Sequence, residues 1–507
     1  MTVGPPLSPG GTPVAGDTFS MSRMGKHTAI YAVGVLVARA TSIVMMPLYT
    51  RYLTPAGYGI LGLIEMTLDV IGIVAGSRLG AGVFHLYHKA RDGREQRAVL
   101  GSAFLLLAAA FAVAGTVSWW SAPLVARLLL GGAQHTGLVR IAALTLALNS
   151  LTLIPLIELQ LRVRSISLVG ANLAKLGVQL GLNILLLVRY HLGIRGVLLA
   201  TLAANIAVGT PLAFRFLRRI GVTFDREAVR GILRLGLPFI GVQLAKFTMT
   251  FGDRYFLRAV ADTAAVGIYS LGYQFGFILY QVGCEPFFLA WEPARFEIAK
   301  RADRDAVFNR GFLFLNVVLL TTAVGITLFV GDFLRVAATP PFFAATRVVP
   351  VVLVAYIAQS WTSFHNYGLF AAQRTEYITL ANWVAAAIAV AGYAICIPRW
   401  QMMGAAWATL FSFVASEWLV YVFAQRAQRV AYEWTPTVRL SLIAVVVCAV
   451  SQALPVLRPV ASVAVHAGLL GVYGAGVWFG GVLSPGDRAR LREVRLSPRA
   501  LVAAVTR

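Results

Sequence analysis

Charge is scarce in this 507-residue chain. Asp, Glu, Lys and Arg together make up 13% of it, against 58% for the hydrophobic residues. With a mean hydropathy of +0.74, an ordinary soluble domain is excluded and a polytopic membrane protein remains. Cysteine is almost missing: Cys284, Cys396 and Cys448 sit in or at the ends of apolar runs without CxxC spacing. That argues against a disulfide framework or zinc site and leaves small packing residues. The chain has no GxxxxGK[ST] stretch, which argues against an ATP-driven pump on one polypeptide. His27, His85, His88, His135, His191, His365 and His466 form no HExxH spacing and read as solvated loop histidines. No Ser/His/Asp arrangement stands out, and no connection between apolar runs is long enough to fold as a separate catalytic domain. Acidic residues number 21 against 44 Lys plus Arg. The surplus falls between apolar runs, where it sets topology and meets anionic headgroups, so the reading has no nucleic-acid partner.

What is present is a series of apolar runs about 20 residues long, the length a helix needs to cross roughly 30 Å of hydrocarbon. Fourteen are expected: 28–50, 58–78, 98–121, 138–158, 168–188, 196–214, 232–251, 263–283, 308–330, 349–370, 378–397, 404–424, 439–454 and 461–483. The connections on one side, with both termini, hold 26 Lys and Arg; those on the other hold 10. The positive-inside rule then places both termini in the cytoplasm. Residues 1–27, rich in Gly, Pro, Ser and Thr, read as a disordered cytoplasmic arm with no signal-peptide pattern. Residues 484–507 read as a basic, partly amphipathic tail suited to the anionic leaflet.

The joint between the first two runs, MMPLYTRYLTPAGYGILGL from Met45, returns as FGDRYFLRAVADTAAVGIYSL from Phe251. Gly59, Ile60 and Leu63 lie 208 residues before Gly267, Ile268 and Leu271. The stretches GVLLATL at Gly196 and GAAWATL at Gly404 keep that offset. One offset at two distant places predicts a duplicated half. Arg51 and Arg254 then read as pseudo-symmetric anchors at the outer mouth.

Ionisable residues inside apolar runs carry the functional expectation, because an unpartnered charge at mid-bilayer costs several kcal/mol. Arg39 lies 11 residues before Thr50 and Asp69 lies 11 after Tyr58, so both sit about 16 Å deep and can meet. Glu65 and Asp69, spaced i, i+4, share a face, so one can pair with Arg39 while the other binds a proton or ion. Either the cluster faces a cavity or it is a buried pair that fixes the hairpin. Lys246, about 8 Å below its outer helix end, and Lys175, about 10 Å inside the fifth run, line a cavity or snorkel. Arg254 with Asp253 is an interfacial anchor or a cavity residue. Arg234 has the same choice at an inner end. Glu158 and Arg162 read as a local surface pair, and Glu417 has no assigned partner.

PLYTRYLTPAGYGILGL after the first run, DRYFL with VGIYSL after the seventh, and AYEWTPTVRL before the thirteenth resemble the polysaccharide transporter branch of the multidrug/oligosaccharidyl-lipid/polysaccharide flippase superfamily. The resemblance covers residues 25–483. It implies an all-α membrane protein of two pseudo-symmetric six-helix lobes, 28–220 and 221–430, with two further helices over 431–483. It implies a cavity lined largely by helices 1, 2, 7 and 8, on which Arg39, Glu65, Asp69 and Lys246 lie. The implied activity is flipping of undecaprenyl-diphosphate-linked oligosaccharides, O-antigen or exopolysaccharide repeat units, across the bacterial cytoplasmic membrane. The expected partners are that lipid-linked glycan, membrane lipids and a polysaccharide polymerase or other export components. No cofactor is implied, and proton or sodium coupling stays open. Cations in a wet groove would ease a diphosphate across the slab, and Tyr273, Gln274, Tyr280 and Gln281 are candidates to meet sugar hydroxyls. A multidrug antiporter of the same superfamily, a polysaccharide polymerase or ligase, and a structural scaffold in an export complex are the competing readings.

Overall fold

The computed structural model describes residues 45–454 and 458–482, and among these every regular element is a helix. Lipid offers no partner to a backbone N–H or C=O, so apolar runs of this length satisfy their polar groups internally. The first half contains α1 Pro55–Val74, α2 Gly80–Lys89, α3 Gly93–Val125, α4 Thr136–Ala147, α5 Ser150–Leu161, α6 Ser165–Ile184 and α7 Gly193–Ile220. The second contains α8 Arg226–Val260, α9 Thr263–Leu279, α10 Glu285–Ile298, α11 Arg304–Ala337, α12 Val349–His365, α13 Tyr367–Ala371 and α14 Glu376–Ala427. Two more, α15 Trp434–Ala453 and α16 Pro459–Phe479, follow.

Ten described helices are long and apolar enough to cross a membrane, or eleven if the bent pair Pro340–Arg347 with Val349–Ala371 is one span. The expected fourteen are not confirmed, for identifiable reasons. Residues 28–44 of the first expected run lie outside the described residues. The eighth run is interrupted by a wide turn at Tyr280–Cys284. The eleventh and twelfth form one 52-residue element broken at Gln401, where φ is 45°. The chain folds back on itself there: Tyr393 Oη lies 3.4 Å from Thr409 Oγ1. Gly404 packs so closely that a Cβ would lie 2.2 Å from the Cys396 carbonyl.

The duplicated half is legible in atomic detail. Thr54 caps α1 by accepting from Gly57 N at 3.1 Å. Asp262 caps α9 by accepting from Ala265 N at 2.7 Å. Both cap and donor are 208 residues apart. The shared glycines are each other's neighbours: a Cβ on Gly59 would lie 1.9 Å from Thr263 O, and one on Gly267 would lie 2.0 Å from Pro55 O. Helices α1 and α9 therefore cross backbone to backbone, as only glycine permits.

Around this crossing the halves are clasped. Arg51 Nη2 donates to Val336 O at 2.9 Å, at the end of α11. Arg258 Nε donates to Leu129 O at 3.1 Å, just past α3. Donors and acceptors are each 207 residues apart, so the two bonds are counterparts, and both guanidiniums meet carbonyls at a helix C-terminus, where partial negative charge gathers. Arg51 thus corresponds to Arg258, not Arg254, because the second copy carries one extra residue between helix exit and the next cap. Thr50 Oγ1 to Ala337 O at 2.9 Å and Thr339 Oγ1 to Thr50 O at 3.2 Å complete the closed end.

Candidate functional site

Below the crossing, a cavity of about 330 Å³ lies between α1, α8 and α9. Tyr49, Tyr58, Glu65 and Asp69 line it from the first half, and Phe251, Arg254, Ser270, Gln274 and Phe277 from the second. Its wall is tied by Thr67 Oγ1 to Tyr255 Oη at 3.1 Å, from α1 to α8, and by Asn183 Nδ2 donating to Tyr49 Oη at 3.0 Å. Glu65 and Asp69 fall on one face, as their i, i+4 spacing predicts. Glu65 is exposed to this space, and no described cation pairs with it. Asp69 is half-buried and faces Arg78, with Nη2 3.6 Å from Oδ1. Arg39 lies outside the described residues, so its meeting with either acid does too.

Arg254 is no headgroup anchor: it is 1% exposed. Its Nη1 donates to Asp253 Oδ1 at 2.7 Å and to Thr250 O at 2.6 Å, and its guanidinium lies 3.9 Å from the Tyr273 ring centroid. Asp253 also accepts from Tyr269 Oη at 2.5 Å and Thr409 Oγ1 at 3.2 Å. A buried charge is tolerable only with such a set of partners. One polar atom is left over: Arg254 Nε has no hydrogen-bond partner. An Asp-Arg doublet at the end of an apolar run looked interfacial in sequence; the helix continues to Val260, which draws the doublet inside.

The other candidates divide. Gln274 lines the cavity. Tyr273 is fully buried behind Arg254, so it holds the guanidinium instead of meeting sugar. Tyr280 and Gln281 are half-buried and do not line this space. Lys246 is exposed to a second, smaller cavity inside the second half. Lys175, half-buried on α6, lines neither. Glu158 is not a surface pair with Arg162: it is 4% exposed, bonded to Arg162 and 3.6 Å from Arg219 Nη1 of α7.

Two histidines overturn the loop reading. His365 is buried, its Nδ1 2.5 Å from Glu417 Oε1, which supplies the partner Glu417 lacked in sequence. His466 Nδ1 lies 2.7 Å from Asp332 Oδ2, tying α16 to α11. Each histidine stands within an expected apolar run, and that placement was the available signal. Among the described residues, no three His, Cys, Asp or Glu side chains gather where they could hold a metal ion.

The fold, a helical bundle of two related halves around a central cavity, is shared with solved structures of two kinds. The chain is similar to a structure described as "Lipid II flippase MurJ, inward closed conformation", at 10% identity and TM-score 0.71 over 90% of this chain and 99% of that one. It is also similar to an inward-facing multidrug resistance MATE family transporter, at 12% identity and TM-score 0.62 over 76% and 93%. An outward-facing structure of a multidrug resistance MATE family transporter aligns at 13% identity and TM-score 0.54 over 79% and 95%. No curated protein sequence matches. Residues 24–299 match the family described as "Polysaccharide biosynthesis protein", and the chain belongs to that family.

Proposed function

We propose that the protein is an alternating-access flippase that moves an undecaprenyl-diphosphate-linked oligosaccharide, an O-antigen or exopolysaccharide repeat unit, across the bacterial cytoplasmic membrane. The observation that carries this reading is the central cavity, shared by both halves and shut at one end by the reciprocal Gly59–Gly267 crossing. Closure of the cavity at that end is what one state of a rocking transporter requires. Membership of the polysaccharide biosynthesis family supports a glycan substrate, and the similarity to a lipid II flippase supports a lipid-linked one.

In this reading residues 28–220 and 221–430 are the two lobes, 431–483 adds two helices, and both termini are cytoplasmic, so the closed end faces outward. The protein transports without making or breaking a covalent bond. Arg254, held by Asp253 at the cavity wall, is the cation that meets the diphosphate, while Glu65 is the group through which a proton or sodium ion couples. The test is flipping of a fluorescent polyprenyl-diphosphate glycan in proteoliposomes with imposed pH or sodium gradients. Glu65→Gln is expected to abolish the gradient dependence; rates indifferent to both gradients in the parent protein overturn the coupling.

The carboxylate face of the cavity also suits a small organic cation, and the MATE similarity favours that second reading. Gradient-driven uptake of a cationic dye, with no flipping of lipid-linked glycan, would establish it instead.

A further inference from the structure

A smaller cavity lies in the second half, and its chemistry is opposite to that of the central one. It measures about 60 Å³ and lies between α8, α12 and the two arms of α14. A single water needs about 10–15 Å³ on this measure, so the space admits a group of several heavy atoms. Lys246, Gln359, Asn366, Asn382 and Ser416 line it, and no carboxylate does.

Thr362 and Ser363 also line this cavity, with their hydroxyls donating to Ala358 O and Gln359 O, and the donors left over come from the ammonium and the amides. Asn382 is 5% exposed, and its Nδ2 has no hydrogen-bond partner. Asn366 Oδ1 is occupied by Arg295 Nη1 at 2.9 Å, which leaves the Asn366 amide nitrogen for a ligand. Arg295 is 4% exposed and rests over the rings of Phe296, Tyr367 and Phe370, so a second cation stands directly behind the pocket. Glu417, next to Ser416 in the chain, is engaged by His365. A buried donor without an acceptor costs about 1–3 kcal/mol, and a low-polarity wall strengthens the pull of both cations on an anion.

We propose that this cavity is an oxyanion subsite. Lys246, Asn382 and the Asn366 amide take a carboxylate or phosphate oxygen of the transported lipid-linked glycan. This rests on the flippase reading for the identity of the cargo, though not for the binding itself. The oxyanion is supplied by an acidic sugar or by the carrier's diphosphate, which share the chemistry that the pocket recognises.

The test is thermal unfolding of the purified full-length protein in detergent, titrated with potassium glucuronate, potassium diphosphate or glucose at ionic strength fixed with potassium chloride. At least one anion should stabilise the protein saturably, and glucose should not. Lys246→Gln and Asn382→Leu should each weaken that apparent affinity about tenfold, the value of one charge-assisted hydrogen bond, while Lys246→Arg keeps it. A response to glucuronate assigns the pocket to the glycan; a response to diphosphate assigns it to the carrier. Anion stabilisation no greater than that of chloride, or unchanged in both weakened variants, overturns the subsite. A protein that binds the anion but flips no lipid-linked glycan sinks the flippase reading alone, and one that flips but binds neither anion sinks only this proposal.

Discussion

The two halves agree where the bundle is shut and differ where the cavity is lined. Gly59 and Gly267 cross, Thr54 and Asp262 cap, and Arg51 and Arg258 clasp a helix end, all at an offset of 207 or 208 residues. At the same offsets, Met46 and Pro47 stand opposite Asp253 and Arg254, and Glu65 and Asp69 stand opposite Tyr273 and Phe277. Closure is a backbone affair that tolerates duplication unchanged, because a glycine crossing and a carbonyl acceptor need no particular side chain on the partner. The chemistry lies in the side chains that broke the symmetry. The first half brings carboxylates to the cavity, and the second brings a guanidinium braced by aromatic rings.

The strongest way to break this comparison is to remove the buried charge that the second half carries where the first has Met46. Asp253→Ala leaves Arg254 in the core without its counter-ion, which should cost about 3–5 kcal/mol and lower the melting temperature accordingly. The double variant Asp253→Leu with Arg254→Met should recover much of that loss, since an apolar pair of similar volume avoids desolvating charge. If the recovered protein melts normally but no longer flips lipid, Arg254 serves the cargo and not only the fold.

The glycine crossing tests what the halves share. Gly59→Ala and Gly267→Ala each place a methyl against the other helix's backbone carbonyl, so each should cost about 1–3 kcal/mol as an overpacked contact. The two losses should be alike and should not add, because one displacement relieves both. Opening of the closed end is readable at Leu53, which is 6% exposed there. A Leu53→Cys reporter should react faster with a membrane-impermeant maleimide in either glycine variant. Unequal effects of the two alanines would mean that the crossing is not a true pivot of symmetry.

Much of this was legible in the sequence. The repeat was, because a glycine crossing fixes both residue type and spacing. The all-helical membrane class was, because lipid imposes run length. The pairing of Glu65 with Asp69 on one cavity face followed from helical period alone. What sequence could not give was depth and partner. Arg254 looked interfacial because Asp-Arg at a run's end has no visible cage; Tyr273 and Thr409, which build it, lie 19 and 155 residues away. His365 and Glu417 looked unrelated across 52 residues, because only the fold-back at Gln401 brings their helices together. The Arg51 counterpart was misassigned for a smaller reason: a one-residue insertion shifts the register before the second cap.

The smallest expected effect discriminates the two clasps most finely. Arg51 is exposed and its clasp is a single bond to Val336 O. Arg258 is half-buried and reaches both Leu129 O and, at 3.5 Å, Ala261 O. Water and salt compete at Arg51, so Arg51→Ala should cost less than about 1 kcal/mol. Arg258→Ala should cost about 1–2 kcal/mol, because desolvated donors to carbonyls are worth more. Lysine separates them further: a single ammonium can replace the one bond of Arg51 but cannot bridge two carbonyls in the fork of Arg258. Arg51→Lys should therefore melt like the parent protein, and Arg258→Lys should keep most of the alanine deficit. Equal rescue at both positions would show that the second clasp is held by charge alone, and that its geometry adds nothing to the symmetric closure.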